Sequence, residues 1–387
     1  MKSRVLFIGH SAGRTGAPLV LLNLLKWLKE HSNIDIEVLL RTGGELQTAY
    51  KTLAPTTLYN PSLTNRVMSG LYRRLNGNLK TFYLRRGHLR HLNKSSIGLI
   101  FSNTITNGEV LSLLADIGCP VICRVAELEY WIQHCGKKNL EQVKRCTTHY
   151  IAVSNAVKKN LVQAHGIPEN RVDVVHGCIP ISKRDPNSLS LRARDIRNSL
   201  NIPGNAFIVG GSGFETWRKG KDLFVQMAYL LSRKSQGFPI HFIWVGGRND
   251  GVDFYRLQHD IRHTGLAESV HFVEEVSNPL DYYATFDVFA MTSREDPYPL
   301  VNLEVAALGK PIVCFENAGG ASEFVESDAG FVVPYLDINL MAEKIIILAK
   351  NKELRKELGD RAAQKVQKRH DISVAAPKIL RILEKFA

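Results

Sequence analysis

Two carboxylates eight positions apart carry the clearest chemistry in this sequence. They are Asp296 and Glu304, within TSREDPYPLVNLEVAALGKP at residues 292–311. Glu304 stands among apolar residues, where a carboxylate is costly to bury unless it accepts hydrogen bonds. The adjacent hydroxyls of a ribose are two such donors, and we therefore predict that Glu304 binds a ribose. The spacing fits equally well a surface loop followed by a salt-bridged glutamate on a half-buried helix.

The residues around the two acids have the pattern of a parallel α/β unit. Residues 288–291 and 311–315 are short apolar runs, which predict buried strands. Between them, Pro299 favours a helix start, residues 300–308 have helical apolar spacing, and Gly309 favours a helix end. The sequence therefore predicts a strand, a loop, a helix and a second strand.

The start of this helix is suited to an anion. The first free N–H groups, from Leu300 and Val301, would point at a bound diphosphate, which the positive end of the helix dipole also attracts. Asp296, in the preceding loop, would then reach the hydroxyls of a sugar attached beyond the phosphates. One short segment would thus bind ribose, diphosphate and sugar in line.

This segment resembles the acid–seven residues–acid signature of the family-four retaining glycosyltransferases, particularly those of bacterial surface-polysaccharide synthesis. The match runs from Asp296 through PYPLVNL to Glu304 and continues as VAALGKP. The first acid is usually Glu; Glu295 would leave eight residues between the acids, so Asp296 is the aligned residue. The resemblance implies an α/β protein of the GT-B fold, with two Rossmann-like doubly wound parallel-sheet domains and a cleft between them.

The resemblance also implies roles for individual residues. Arg218 and Lys219 match the Lys-Gly end of the basic pattern that binds the diphosphate, whereas Gly213 occupies the family's earlier Arg position. With Asp296 they form the expected catalytic set, although a solvated surface pair is the alternative. Gly16 and Arg14 follow the first strand, where the family's loop closes over the donor; a plain tight turn is the alternative. The remaining expected donor-binding residues are Val273 and Glu274 at the nucleobase, with Tyr298, Pro299, Leu300, Val301 and Glu304 in the central segment.

A second acidic pair lies in the first half of the chain. Family members often carry His-Glu at the end of the strand that here reads CRVAELE, and this chain has Ala126 in place of the histidine. Glu127 and Glu129 are therefore candidates for contacts with the hydroxyls of the acceptor or of the donor sugar.

Length and composition indicate two domains. The chain has 387 residues, with 44% hydrophobic and 22% charged residues, as in ordinary globular proteins. We expect a Rossmann-like acceptor domain at 1–185, a nucleotide-sugar domain at 186–370 and a helix at 371–387 that packs back across the domains.

No apolar run is long enough for a membrane span, and the N-terminus has the pattern of a first strand, which favours the cytoplasm. Without a DxD motif or a zinc-like cysteine set, we expect no metal and no cofactor.

The surplus of positive charge lies in the first half. Residues 1–190 contain 25 basic and 12 acidic residues, whereas residues 191–387 contain 25 of each. Residues 65–94 contain no acid, and their basic and apolar residues fall roughly at helical spacing, as in helices that bind anionic membranes. We therefore expect peripheral association with the inner face of the plasma membrane. The main membrane candidates are Arg73, Arg74, Arg85 and Arg86. A solvated helix whose apolar side joins the core is the alternative, and no recognised RNA-binding module is present.

These features and the resemblance together predict a glycosyltransferase, and the resemblance alone implies that it retains the anomeric configuration. The resemblance favours UDP, with glucose as the leading hexose, and a polysaccharide or lipid-linked glycan as acceptor. The alternatives are a UDP-sugar epimerase of related fold and a non-catalytic membrane-binding protein. A dinucleotide oxidoreductase is disfavoured because Gly9, Gly13 and Gly16 do not form GxGxxG, and because Arg41 ends the second strand where a ribose-binding acid would stand.

Overall fold

The computed structural model describes residues 4–59, 89, 92, 94–181, 185–214, 216–234 and 237–387. The chain forms two compact units. Unit 1 comprises Met1–His176 and Ile372–Ala387, and unit 2 comprises Gly177–Asp371. The first division thus falls before Gly177 rather than after residue 185. Arg73, Arg74, Arg85 and Arg86, the predicted membrane residues, lie outside the described residues.

Unit 1 is built on a seven-stranded parallel sheet with the order β3-β2-β1-β4-β5-β6-β7. The strands are β1 (Arg4–Gly9), β2 (Ile36–Leu40), β3 (Thr56–Leu58), β4 (Ile97–Ser102), β5 (Val121–Val125), β6 (His149–Ala152) and β7 (Val172–Val174). The helices that connect them are α1 (Gly16–His31), α2 (Gln47–Leu53), α3 (Gly108–Leu114), α4 (Glu129–Cys135), α5 (Lys137–Cys146) and α6 (Asn155–Gln163).

Unit 2 is built on a six-stranded parallel sheet with the order β10-β9-β8-β11-β12-β13. The strands are β8 (Phe207–Ser212), β9 (Ile240–Val245), β10 (Val270–Val273), β11 (Val288–Met291), β12 (Ile312–Phe315) and β13 (Gly330–Val333). The helices are α7 (Pro186–Ser199), α8 (Lys221–Lys234), α9 (Gly251–His263), α10 (Pro279–Ala284), α11 (Leu300–Ala307), α12 (Ala321–Val325), α13 (Ile338–Lys350) and α14 (Lys352–Lys365).

The last helix, α15 (Ile372–Phe386), belongs to unit 1, where it packs against α1. Its buried residues Ala375, Ala376, Ile379 and Leu383 form one apolar stripe at helical spacing. Among the described residues, no helix combines the length and the apolar composition needed to cross a bilayer.

The strands are almost continuously apolar because helices cover both faces of each sheet. Every residue of β2, β6, β9, β11 and β12 is buried. In unit 2 the core includes Phe224, Phe242 and Trp244, whose rings meet edge to face. The sheet therefore leaves its carboxyl edge, where the connecting loops begin, as the place for polar chemistry.

Candidate active site

The segment that contains the two acids has the structure expected from its sequence. β11 is followed by a loop, then by α11 and β12, so this prediction is confirmed. Pro299 immediately precedes α11 and provides no side-chain cap, which leaves the first N–H groups of the helix to another acceptor. Gly309, after the helix, has φ +70°, a conformation that favours glycine.

The loop after β8 lies beside the loop after β11 because β8 and β11 are neighbours in the sheet. Arg294 N donates to Arg218 O at 2.8 Å, and Arg218 Nη1 donates to Glu295 O at 2.7 Å. Thr292 Oγ1 also donates to Gly220 O at 2.9 Å. These contacts join the two loops into one surface at the carboxyl edge of the sheet.

The three predicted catalytic side chains meet on that surface. Lys219 Nζ lies 2.5 Å from Asp296 Oδ2, and Arg218 Nη1 lies 3.8 Å from the same oxygen. The three side chains are only 8–17% exposed, so their charges interact more strongly than they would in water. Arg218 Nε is buried and has no hydrogen-bond partner in the part of the chain that the structure describes. The cluster therefore carries one surplus positive charge and one available donor.

Glu304 lies half-buried on α11, one turn beyond the start of the helix. It is close enough to Tyr283, on α10, to affect its ionisation: burial chiefly, and then the charge of Glu304, raises the pKa of the Tyr283 hydroxyl. That hydroxyl donates to Ser212 Oγ at 2.8 Å, since Ser212 itself donates to Val245 O. The sequence did not reveal Ser212 and Tyr283, which come from two other elements and belong to no local motif.

A further residue that the sequence analysis missed is Asn302, on α11 between the two acids. It is 1% exposed, and both Nδ2 and Oδ1 lack a hydrogen-bond partner among the described residues. Such an orphaned amide is unusual in a folded protein. The sequence did contain a signal for Asn302, because a polar amide stands out within the apolar run from Leu300 to Leu308.

The other predicted donor-binding residues of unit 2 lie at the same edge of the sheet but differ in their surroundings. Tyr298 is buried, and its ring packs against His370, whose ring nitrogens lie 3.3–3.4 Å from the Tyr298 hydroxyl. Val273 ends β10, and its carbonyl accepts from Gly246 N at 2.9 Å. Glu274 is exposed and accepts from Asn249 N at 3.2 Å.

In unit 1, the two predicted acids have different environments. Glu127 is buried and accepts from Thr104 Oγ1 and from the amides of Ile105 and Ala126, and burial raises its pKa. Glu129 lies 2.8 Å from both His165 Nε2 and Gln133 Nε2. Burial raises its pKa, but the hydrogen bonds from Gln133 and His165 outweigh this and lower the pKa overall.

The loop between β1 and α1 contains the other two predicted donor-binding residues. Arg14 is exposed, and Gly16 is the first residue of α1. Thr15 precedes the helix without capping it through its side chain. The backbone of the helix start is thus available to a ligand at the carboxyl end of β1.

No described residues form a group of three or more His, Cys, Asp or Glu that could hold a metal ion. The cationic pair at Asp296 supplies the positive charge that a diphosphate needs. Together with the α11 N-terminus and the carboxylate of Glu304, it can bind a nucleoside diphosphate in chemical terms.

Comparison with known proteins relates part of the chain to a known family. Residues 193–365 match the model for the family described as "Glycosyl transferases group 1". This segment, which is less than half of the chain, is similar to the group 1 glycosyl transferases. The matched residues include Arg218, Lys219, Asp296 and Glu304.

Curated proteins with similar sequences include bacterial enzymes. The capsular polysaccharide biosynthesis glycosyltransferase CapM of Staphylococcus aureus is 23% identical over 230 residues, which cover 57% of each chain. The N,N'-diacetylbacillosaminyl-diphospho-undecaprenol alpha-1,3-N-acetylgalactosaminyltransferase of Campylobacter jejuni is 23% identical over 239 residues, which cover 61% of this chain and 60% of that enzyme. The chain thus matches 57–60% of the length of these two relatives.

Among solved structures, the whole chain resembles HepE of Anabaena. The HepE complex with UDP and glucose superposes with a TM-score of 0.80 at 21% identity, and the match covers 99% of both chains. The complex of HepE with UDP-glucose gives the same TM-score. This likeness and the two doubly wound parallel sheets confirm the predicted GT-B fold.

Proposed function

We propose that the protein is a retaining glycosyltransferase that transfers a hexose from a UDP-sugar to a polysaccharide or to a lipid-linked glycan. Glucose is the favoured hexose, because HepE, the structural relative above, has been solved with UDP-glucose and with UDP and glucose. The observation that carries the proposal is the Lys219–Asp296–Arg218 cluster in the loops beside the start of α11.

The cluster fits the charge that develops as the bond between sugar and diphosphate breaks. The departing nucleoside diphosphate gains negative charge, which Lys219, Arg218 and the N-terminus of α11 stabilise. A preorganised donor of this kind commonly contributes about a hundredfold or more to the rate. Because these groups are on the protein, the reaction needs no divalent cation, and we expect activity to persist in a chelator.

Asp296 acts on the sugar rather than as a nucleophile. Its Oδ2 is held by the Lys219 ammonium at 2.5 Å, and such pairing lowers the nucleophilicity of a carboxylate. The carboxylate can instead orient the sugar by accepting from its hydroxyls. Retention of configuration then follows if the acceptor attacks from the face that the diphosphate leaves, with the leaving phosphate accepting the proton.

Glu304 completes the donor site by binding the ribose. The half-buried carboxylate at this position on α11 could accept two hydrogen bonds from vicinal hydroxyls. The side chain of Tyr283, which lies near Glu304, is fixed by its hydrogen bond to Ser212, which in turn donates to Val245 O. The nucleobase would bind at Val273 and Glu274, at the end of β10, and Tyr298, Pro299, Leu300 and Val301 would border the diphosphate.

Unit 1 is proposed to receive the acceptor. Glu129 presents a carboxylate that remains partly exposed, whereas Glu127 is enclosed by three donors and fixes the loop around Ala126. Arg14 and Gly16 would close over the donor phosphates.

We further propose a cytoplasmic protein whose residues 65–94 bind the inner face of the plasma membrane. Replacing Arg73, Arg74, Arg85 and Arg86 with Ser should release it from anionic vesicles at physiological salt, and retained binding would contradict this.

A donor screen tests the activity. The protein is incubated with UDP-glucose, UDP-galactose, UDP-N-acetylglucosamine, GDP-mannose and ADP-glucose, with and without EDTA, and released nucleotide is measured. UDP release with UDP-glucose as the best donor, unaffected by EDTA, is the expected result. Free UDP and a glycosylated acceptor, rather than an epimerised UDP-sugar, separate a transferase from an epimerase. Failure to release nucleotide from every donor would overturn the proposal.

A further inference from the structure

Exposed apolar side chains are concentrated beside the candidate active site. Phe214 and Trp217, in the loop after β8, are 53% and 60% exposed, and Tyr335 and Leu336, after β13, are 43% and 39% exposed. These four are a large share of the ten large apolar side chains that are exposed in the described part of the chain. Apolar groups gathered in this way on a water-exposed surface commonly mark a binding site.

Arg294 holds Trp217 in place. The guanidinium Cζ of Arg294 lies 5.1 Å from the centre of the indole, and Arg294 Nη1 donates to Trp217 O at 2.9 Å. Arg294 is itself fixed by Asp222, whose two carboxylate oxygens accept from Nη1 and Nη2 at 2.8 and 2.6 Å. Since little rotational freedom remains to be lost on binding, a rigidly presented aromatic ring is a favourable contact surface.

Tyr335, in the loop after β13, also contacts Arg294. Its hydroxyl donates to Arg294 O at 3.1 Å, and its ring packs edge to face against Phe315. The next residue, Leu336, has φ +62°, which is costly for a side chain with a Cβ. Strained backbone that exposes an apolar side chain is typical of binding loops rather than of loops selected for stability.

This surface adjoins Lys219 and Asp296 of the candidate active site. Trp217 begins the short 3-10 turn that ends at Lys219, and Arg294 lies two residues before Asp296. Tyr335 lies away from the proposed nucleobase contacts at β10, since β10 and β13 are the opposite edge strands of the sheet, five strand spacings of about 4.8 Å apart. Trp217 follows β8, two strand spacings from β10, in the loop that contains Lys219. A group that binds to both Trp217 and Tyr335 is therefore a neighbour of the Lys219–Asp296 pair.

We propose that Trp217 and Tyr335, braced by Arg294, form a stacking subsite for a sugar ring of the acceptor glycan. This inference rests on the proposed function and names a contact for its acceptor. The apolar C–H face of a pyranose carries a partial positive charge and is attracted to the negative face of an aromatic ring. The hydroxyls at the rim of the sugar remain in water, so no buried polar group is left unpaired.

The test compares Trp217→Ala with Trp217→Phe, which keeps a smaller aromatic face. The acceptor probe is the oligosaccharide pool released by mild acid from the source organism's surface glycans, and UDP-glucose is the donor. In Trp217→Ala we expect the acceptor KM to rise about tenfold, with little change in kcat or in UDP affinity. Trp217→Phe should retain most of the affinity. Tyr255→Ala, which removes a 63% exposed aromatic on α9, is the matched control and should change neither constant.

A binding measurement makes the result independent of turnover. The pool should quench the indole emission of the wild-type protein in a saturable manner, and Trp217→Phe should lose that response. An unchanged acceptor KM in Trp217→Ala, or the absence of a Trp217-dependent signal, would overturn the subsite while leaving the proposed function intact. A parallel loss of UDP affinity would also overturn it, because the indole would then stack on the nucleobase. If the wild type releases no nucleotide from any donor, the proposed function fails, and the quenching still decides whether Trp217 binds sugar.

Discussion

Lys219 Nζ and Asp296 Oδ2 lie 2.5 Å apart, although 77 positions separate the two residues in the chain. The pair joins the loop after β8 to the loop after β11. In the proposed donor complex both partners acquire a second role, the ammonium at the diphosphate and the carboxylate at the sugar. Their mutual contact keeps each charge compensated before the donor binds, which reduces the cost of holding them in a low-dielectric site.

Replacing Asp296 with Asn should separate these two roles. The variant keeps the shape of the side chain but removes its charge, so that Lys219 is no longer shared with a carboxylate. We expect turnover to fall about a hundredfold while UDP binds several times more tightly. Initial rates and titration calorimetry with UDP measure the two effects. Weaker UDP binding together with wild-type turnover would contradict this division of roles.

Lys219→Ala should lower turnover by more than about tenfold, because the diphosphate loses a point charge as it departs. The measurement is the initial rate of UDP release at saturating donor. Lys234→Ala is the matched control, since Lys234 pairs with Glu343 at 3.0 Å on a more exposed surface. Wild-type rates in Lys219→Ala would remove this residue from the diphosphate site.

Glu304→Ala should abolish measurable UDP binding. Two charge-assisted hydrogen bonds to the ribose, each worth about 1.5–3 kcal/mol, are lost together. Glu304→Gln, which can still accept, should fall between this variant and the wild type. Glu343→Ala, at a more exposed acid on α13, should leave the calorimetric affinity unchanged. An unaltered affinity in Glu304→Ala would refute the ribose assignment.

Gly220→Ala should destabilise unit 2 strongly. Gly220 has φ +68°, and a Cβ at this position would lie 2.0 Å from the carbonyl oxygen of Thr292, which must then move. Gly265→Ala is the control, because Gly265 has φ +73° with nothing near its Cβ position. We expect the control to lose about 1–2 kcal/mol and Gly220→Ala clearly more, as measured by urea unfolding. Equal losses would mean that the contact with Thr292 is unimportant.

His271 should make the protein less stable in mild acid. Burial, followed by the charge of nearby His241, lowers the pKa of His271 to about 4 from its usual 6.5. The unfolded chain therefore binds more protons between these values, so the stabilisation is complete above pH 6.5 and is lost as the pH falls towards 4. After allowance for partial exposure, the loss is about 1–2 kcal/mol.

The measurement for His271 is urea unfolding at pH 7.5 and pH 4.5. His271→Gln should lose less stability between the two conditions than the wild type, because it no longer contributes a titrating group. His263→Gln, at an exposed position of α9, should behave as the wild type does. Identical pH dependence in all three proteins would show that His271 titrates normally.

The local elements of the site could be predicted from the sequence because they depend on neighbouring residues. The apolar runs that became β11 and β12 are continuous, and Pro299 and Gly309 bracket the helix between them. Arg218, Lys219 and Asp296 were placed in one site by family resemblance. Their direct contact could not be predicted, because it depends on β8 and β11 being neighbours in the sheet.

The features that the sequence did not reveal all involve partners distant in the chain. Glu127 and Glu129 looked equivalent as acids near a strand end, yet one is enclosed by Thr104 and two amides and the other lies beside His165. Asn302 lay in the predicted helix, but its burial depends on how that helix packs in unit 2. The division before Gly177 likewise depends on packing that SKRDPNSLS, a polar stretch, does not encode.

Unit 2 begins and ends at one place. Ile179 N donates to His370 O at 3.0 Å, and Ile181 N donates to Asp371 Oδ2 at 3.0 Å, so its first and last residues lie side by side. Because α15 returns to unit 1, unit 2 is an insertion in the chain, and its two ends are already hydrogen-bonded to each other. A continuous segment with this property can be exchanged as one piece, so unit 2 could be swapped between relatives at a single pair of adjacent junctions.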